Sequence, residues 1–384
     1  MTDPRHTKLA NVLVNYSTNV QPGDLVGIAA EPTAMPLIEA VAAAVLKAGG
    51  NPIWFPRSEQ LTEVLLTHGT DEQLKYLAPT HLDYIEKINV QISFWCQLNT
   101  RYLAGIDPAK VALHQAGRRP FMSRFMDRAA ETNPKSKLRW CGTAYPTLAS
   151  AQDADMSLRQ YEDFVYAAGL LHLDDPAAAW RTIFARQERV REYLQGKKTL
   201  VFTAPAADGH DGTHLTVDVS NSTWINCGGH ENFPDGEVFA GPGGADGHVN
   251  YTFPAVYNGR EVEGVRLVFK QGRVVDASAK KGEDFLIKML DQDQGARNMG
   301  EIAIGTNYAI KQFSKNTLFD EKIGGTFHAA VGAGYPESGN TNQSGLHWDM
   351  VCDLRPSPTT PGGTITIDGT LFHKDGQFVN VPGW

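Results

Sequence analysis

Along its first half the chain alternates short apolar runs with longer tracts in which apolar residues return every three or four positions. "DLVGIAA" (Asp24–Ala30), "NPIWFP", "NVQISFWCQ" and "LRWCGTAYP" are the apolar runs, and each reads as a strand. Helical tracts fall at 7–17, in "TAMPLIEAVAAAVLKAGG" up to its glycine pair, and at 107–132, 148–171 and 175–194. Strands alternating with helices of a dozen or more residues predict a parallel sheet with crossover helices. The expected first domain is a Rossmann-like open α/β unit over residues 1–197. Past Lys198 the pattern changes to short strands separated by turn signals. "KTLVFTAPAADGHDGTHLTVDVS" predicts two strands around a Gly/Asp turn, and "VRLVFKQGRVVDASAKKG" a hairpin with Gly272 in its loop. Only Glu283–Asp293 predicts a helix of any length there. Residues 198–384 therefore read as a strand-rich α+β domain.

Charge and cysteine usage narrow the classes of function. The 384 residues carry a net charge of −8, which speaks against a nucleic-acid surface. The N-terminus lacks a basic stretch followed by an apolar core, so no signal peptide is expected, and no uncharged apolar segment approaches membrane-spanning length. Four cysteines (Cys96, Cys141, Cys227, Cys352) without a CxxC spacing point to reduced thiols in the cytoplasm rather than a disulfide framework.

The turn after Ala30, "AAEPTAMP", has neither GxGxxG nor GxxxxGK[ST], so the first domain gives no positive sign of a nucleotide. "AGPGGADG" (Ala240–Gly247) reads as a tight loop. No GxSxG and no HExxH occur, which removes the familiar serine-hydrolase and zincin signals.

Candidate chemistry lies in the second half. In an extended "LHWDMV", His347 and Asp349 share one side while Trp348 and Met350 take the other. Imidazole and carboxylate together can begin a divalent-ion site, although a hydrogen-bonded His–Asp pair or a solvated strand face is the plainer reading of these two alone. Upstream, "NTLFDEKIGGTFHAAVGAGYPESGN" places Asp320, Glu321, His328, Tyr335 and Glu337 among glycines. Glu237 in "FPDGEVFAGP" and Glu301 in "MGEIAIGTN" each follow a glycine at an apolar run, where a solvated strand start is the plainer reading. His210 and His214 in "HDGTH" read as structural.

Taken in order, "NFPDGEVFAGP", "GEIAIGTN", "NTLFDEKIGGTFHAAVGAGYPESG" and "SGLHWDMV" resemble the signature segments of the thermophilic-type metallo-aminopeptidases, the aminopeptidase T/AmpS family M29. The resemblance covers about Lys198 to the C-terminus, and the first half is similar in outline. It implies two divalent metal ions (Zn, Co, Mn or Mg) held by Glu237, Glu301, Glu321, His328, His347 and Asp349, with Glu301 bridging. Tyr335 matches the catalytic tyrosine, and the family suggests a homodimer. Two departures accompany it: the spacing from Glu321 to His328 is longer than in relatives, and His214 stands where an aspartate is expected.

Two divalent ions would balance Glu237, Glu301, Glu321 and Asp349, which otherwise repel. Such a pair ionises a water and polarises the scissile carbonyl, and Tyr335 donates its O–H to the oxyanion. Glu301 or Glu321 can carry the proton to the leaving amine. The expected function is a cytoplasmic aminopeptidase acting on peptides with a free N-terminus, with no nucleic-acid or membrane partner. A dinuclear hydrolase of another amide, and a non-catalytic peptide- or metabolite-binding α/β protein, are the alternatives.

Overall fold

The computed structural model describes residues 3–206, 209–257, 259–358 and 360–384, which form two compact units. The first comprises 1–177 with 229–233, and the second 178–228 with 234–384.

In the first unit, five parallel strands run in the order Asn51–Pro56, Leu25–Ala30, Val90–Trp95, Arg139–Ala144 and Asn232–Phe233. Val26, Ile28, Val90 and Ile92 are buried, as near-continuous apolar strands of a parallel sheet should be. Helix Met35–Lys47 ends as its glycine pair predicts. Gly49 adopts φ +83°, which turns the chain so that the Gly50 N–H donates to the Val45 carbonyl. Three short helices, Glu59–His68, Asp71–Lys75 and Pro79–Lys87, occupy a region whose sequence gives no clear period.

The second unit begins earlier than the change of pattern near Lys198. Helix Pro176–Leu194 belongs to it, because Val190 and Leu194 sit in the same apolar core as Leu200, Phe202 and Leu215. This core lies between an eight-stranded and a five-stranded antiparallel sheet, with Phe202 of one and Phe327 of the other 4.4 Å apart at their ring centroids. Strands Thr199–Ala204 and Thr213–Asp218 pair as predicted, although 207 and 208 of their connection lie outside the described residues. Gln271 (φ +51°) and Gly272 (φ +77°) make the two-residue turn between Arg266–Lys270 and Arg273–Ser278. Both central residues take positive φ, the geometry that suits strand twist and favours glycine. Only residues 241–243 of the glycine-rich stretch form a loop; from Gly244 it belongs to strand Gly244–Asn250, so the tight loop is shorter than expected and no helix opens there to cradle a phosphate. No helix among the described residues is long and apolar enough to cross a membrane.

Candidate metal centre

The five-stranded sheet of the second unit has one apolar face and one chemical face, and residue parity divides them. On four neighbouring strands Val238 and Ala240, Ile302 and Ile304, Phe327, Ala329 and Val331, and Trp348, Met350 and Cys352 point into the core. The alternate residues are Glu237; Glu301, Ala303 and Gly305; His328, Ala330 and Gly332; and His347 and Asp349. Register brings them level: Ala330 lies opposite Glu301 on one side and Asp349 on the other, and Gly332 lies opposite His347. Gly305 faces Glu237 and Ala303 faces His328. Small residues thus alternate with the polar ones, leaving room for the longer side chains to converge. Gly332 is fixed as glycine by φ +105° and by a Leu346 carbonyl standing where a Cβ would go.

Glu237 and Glu301 are buried, as is His328, while His347 and Asp349 are partly covered. The plainer reading of both glutamates as solvated strand starts is therefore wrong. Glu321 follows the short helix Thr317–Asp320, whose N-cap is Asn316. The longer spacing to His328 is taken up by a turn through Gly324 and Gly325, the latter at φ +91°. Across it the His328 ring still meets the Glu321 carbonyl.

Both histidines are held in one tautomer. His328 Nδ1 is 3.1 Å from the Glu321 backbone oxygen, and His347 Nδ1 is 2.8 Å from that of Ala333. A carbonyl only accepts, so each Nδ1 carries the proton and each Nε2 presents its lone pair to the site. His328 Nε2 lies 3.1 Å from Glu301 Oε1, 3.4 Å from Glu237 Oε2 and 3.9 Å from Asp349 Oδ1. His347 Nε2 lies 3.3 Å from Asp349 Oδ1 and 3.7 Å from Glu301 Oε2. Lone pairs facing carboxylate oxygens require a cation between them, either a proton or a metal ion. Glu237 Oε2 and Asp349 Oδ1 are buried without a hydrogen bond, as atoms awaiting such a cation would be.

The electrostatics follow from that crowding. Burial opposes charging His328, yet its hydrogen bond to Glu301 and the charges of Glu237 and Asp349 raise it to about 9. His347 rises to about 10, where Asp349 outweighs burial. Asp349 is correspondingly held below the usual carboxylate range, since His347 overcomes its own burial. Burial pushes Glu237 up, and it pushes Glu321 up to about 8 although Lys322 pulls the other way.

Three overlapping groups have ligand atoms close enough to share an ion: Glu237, Glu301 and His328; Glu301, His347 and Asp349; and Glu321, His328 and Asp349. Together they contain all six ligands implied by the resemblance. Glu301 and His328 each appear in two groups, as does Asp349. Neither His210 nor His214 joins any group among the described residues. Glu337 is exposed, and Asp320 is buried but accepts hydrogen bonds from the Ser314 N–H and hydroxyl. Tyr335 packs edge-on against Phe239 (5.5 Å) and His347 (5.1 Å). Burial, with the nearby carboxylates, keeps its phenol protonated far above neutral pH.

Two residues of the cluster escape a reading of sequence alone. Lys322 is 1% exposed and its Nζ donates to Glu237 Oε1 at 2.7 Å and to Glu321 Oε1, with Asp235 Oδ1 at 3.7 Å. Asp235 is equally buried. A lysine after Asp-Glu ordinarily marks a surface turn, and nothing local betrays that this one turns inward.

Histidines with paired carboxylates converging on one face of an antiparallel sheet are a donor set that can hold a divalent metal ion. The model of the thermophilic metalloprotease family M29 matches residues 2–378, and the chain belongs to that family. It is 30% identical over 354 residues to Aminopeptidase 2 of Geobacillus stearothermophilus, covering 86% of this chain and 83% of the relative. Aminopeptidase T of Thermus thermophilus is 28% identical over 262 residues, 63% of this chain and 62% of that one. Among solved structures, wild-type AmpT from Thermus thermophilus superposes with a TM-score of 0.81 over 98% of this chain and 99% of that one, at 21% identity. A 2,5-dihydroxypyridine dioxygenase from Pseudomonas putida shares the fold at a TM-score of 0.60 and 12% identity, covering 98% of this chain and 97% of its own. One fold thus accompanies different chemistries, and the activity has to be argued from the site.

Proposed function

We propose that this chain is a metal-dependent aminopeptidase that releases N-terminal residues from peptides through a centre of two divalent ions. Glu237, Glu301, Glu321, His328, His347 and Asp349 are the proposed ligands, with Glu301 shared. The observation that carries this reading is the pair of tautomer-locked histidines whose Nε2 atoms converge with buried carboxylate oxygens. Bound there, such ions would supply the positive charge that ionises a water near neutral pH and polarises a carbonyl.

The chain's own groups do the rest. Tyr335 keeps its proton and is braced by Phe239 and His347, so its O–H is available to the carbonyl oxygen as negative charge develops there. Glu301 or Glu321 would pass a proton from water to the leaving amine. Beside Glu321 and Asp349 a small cleft is lined by Pro254, Ala255, Val256 and Phe313 together with Lys315, Thr317 and Asp320. The substrate's α-amine suits the carboxylates there. On this reading the enzyme works in the cytoplasm as a homodimer.

A free amine is central to it. Leucyl peptides are expected to lose their first residue, while N-acetyl-leucyl versions of the same peptides stay intact, as followed by mass spectrometry of the products. Equal cleavage of blocked and free peptides, or cuts at internal bonds, would overturn the exopeptidase reading.

A further inference from the structure

Lys322 adds a cation that a count of four carboxylates against two divalent ions does not include. Asp235 adds one further negative charge, so the total remains balanced by two ions. The distribution does not remain even. Lys322 Nζ already occupies one oxygen of Glu237, at 2.7 Å, and one of Glu321, and it stands 3.7 Å from Asp235. Among the described residues no lysine or arginine lies within ion-pair reach of Glu301 or Asp349, which instead face the two histidines.

We infer that Lys322 is a resident cation that makes the two metal positions unequal. One position, at Glu301, His347 and Asp349, makes no hydrogen bond or ion pair with the ammonium and holds its ion tightly. The other must share Glu237 and Glu321 with Lys322, and holds its ion weakly and exchangeably. This rests on the six residues being metal ligands, as proposed above.

The physical reasons are two. A divalent ion drawn onto Glu237 or Glu321 stands within a few ångströms of a fixed positive charge, in an interior where neither water nor salt screens the repulsion. An oxygen that accepts a charge-assisted hydrogen bond from the ammonium also has one lone-pair site fewer to offer a metal. Glu237 Oε2 is buried without a hydrogen bond and faces His328 Nε2 at 3.4 Å, so the weaker position keeps a usable donor. It is disfavoured, not abolished. A form carrying one ion, at the Glu301, His347 and Asp349 position, is the consequence at low metal concentration.

The test titrates Mn²⁺ into the full, metal-stripped chain and follows uptake by calorimetry and electron paramagnetic resonance. Two steps are expected, separated in affinity by about tenfold or more. The first gives the spectrum of an isolated ion, and exchange coupling comes only with the second. Lys322→Met should strengthen the second step by about tenfold or more, as expected for removing a nearby like charge, and leave the first in place. Uptake of both ions in a single wild-type step would overturn the inference, as would a folded Lys322→Met chain with an unchanged second step. A single-step wild-type titration overturns the inference whether or not the variant folds. Peptide cleavage is not read in this experiment, so failure of the aminopeptidase reading and failure of the lysine's role show up separately.

Discussion

Glu301→Gln is expected to empty the centre and lower turnover by about a thousandfold or more, while the chain folds as before. Glu301 reaches toward His328 with Oε1 at 3.1 Å and toward His347 with Oε2 at 3.7 Å, so both oxygens face ligand nitrogens. Glutamine keeps the shape but offers one acceptor where two are needed, and it turns an N–H₂ group toward one of the histidines. Charge stabilisation by bound metal amounts to several kcal/mol, and each ~1.4 kcal/mol is a factor of ten in rate. Metal content and circular dichroism on the same sample check both halves. A variant with wild-type metal content would remove Glu301 from its proposed place.

Tyr335→Phe separates chemistry from binding. The ring edges against Phe239 and His347 survive the change, and only the hydroxyl is lost. Turnover should fall about 10²- to 10³-fold, the typical loss for one oxyanion donor. Metal content should be unchanged and KM should move little, because the hydroxyl acts on charge that develops only in the transition state. Steady-state kinetics beside metal analysis read this directly. Unchanged turnover would deny Tyr335 its role.

Much of this site is legible in the amino-acid sequence, and the limits have physical causes. The alternation in "LHWDMV" already assigns sides, because a strand's period of two is a local property. Trp348 and Met350 lie in the core and His347 and Asp349 on the opposite face, as that alternation predicts. Glu237 and Glu301 are different. Each is a single carboxylate at an apolar run, and its burial depends on the register of strands separated by dozens of residues. Only the ordered resemblance of several segments singles them out. Lys322 is hidden for the same reason: its partners Glu237 and Asp235 lie more than 80 residues away along the chain.

The fold shows the same divide. Strands with strong apolar runs and the Gln271–Gly272 hairpin turn are legible because their determinants are local. Helix Pro176–Leu194 is legible as a helix, but its periodicity does not say which sheet receives Val190 and Leu194. The expected boundary near residue 197 accordingly lies some twenty residues past the point where the second unit begins. Asn232–Phe233 joins the parallel sheet of the first unit with two residues, too short a strand to leave a pattern.

Metal removal and return tests the proposed enzyme most directly. The chain is stripped with a chelator, divided, and supplied with Zn²⁺, Co²⁺, Mn²⁺ or Mg²⁺ while the release of leucine from a leucyl chromogenic amide and from dipeptides is followed. A two-metal aminopeptidase shows no release from the stripped chain and recovers with at least one of the ions. Undiminished release from metal-free protein, or no release with any ion across the panel, would contradict it.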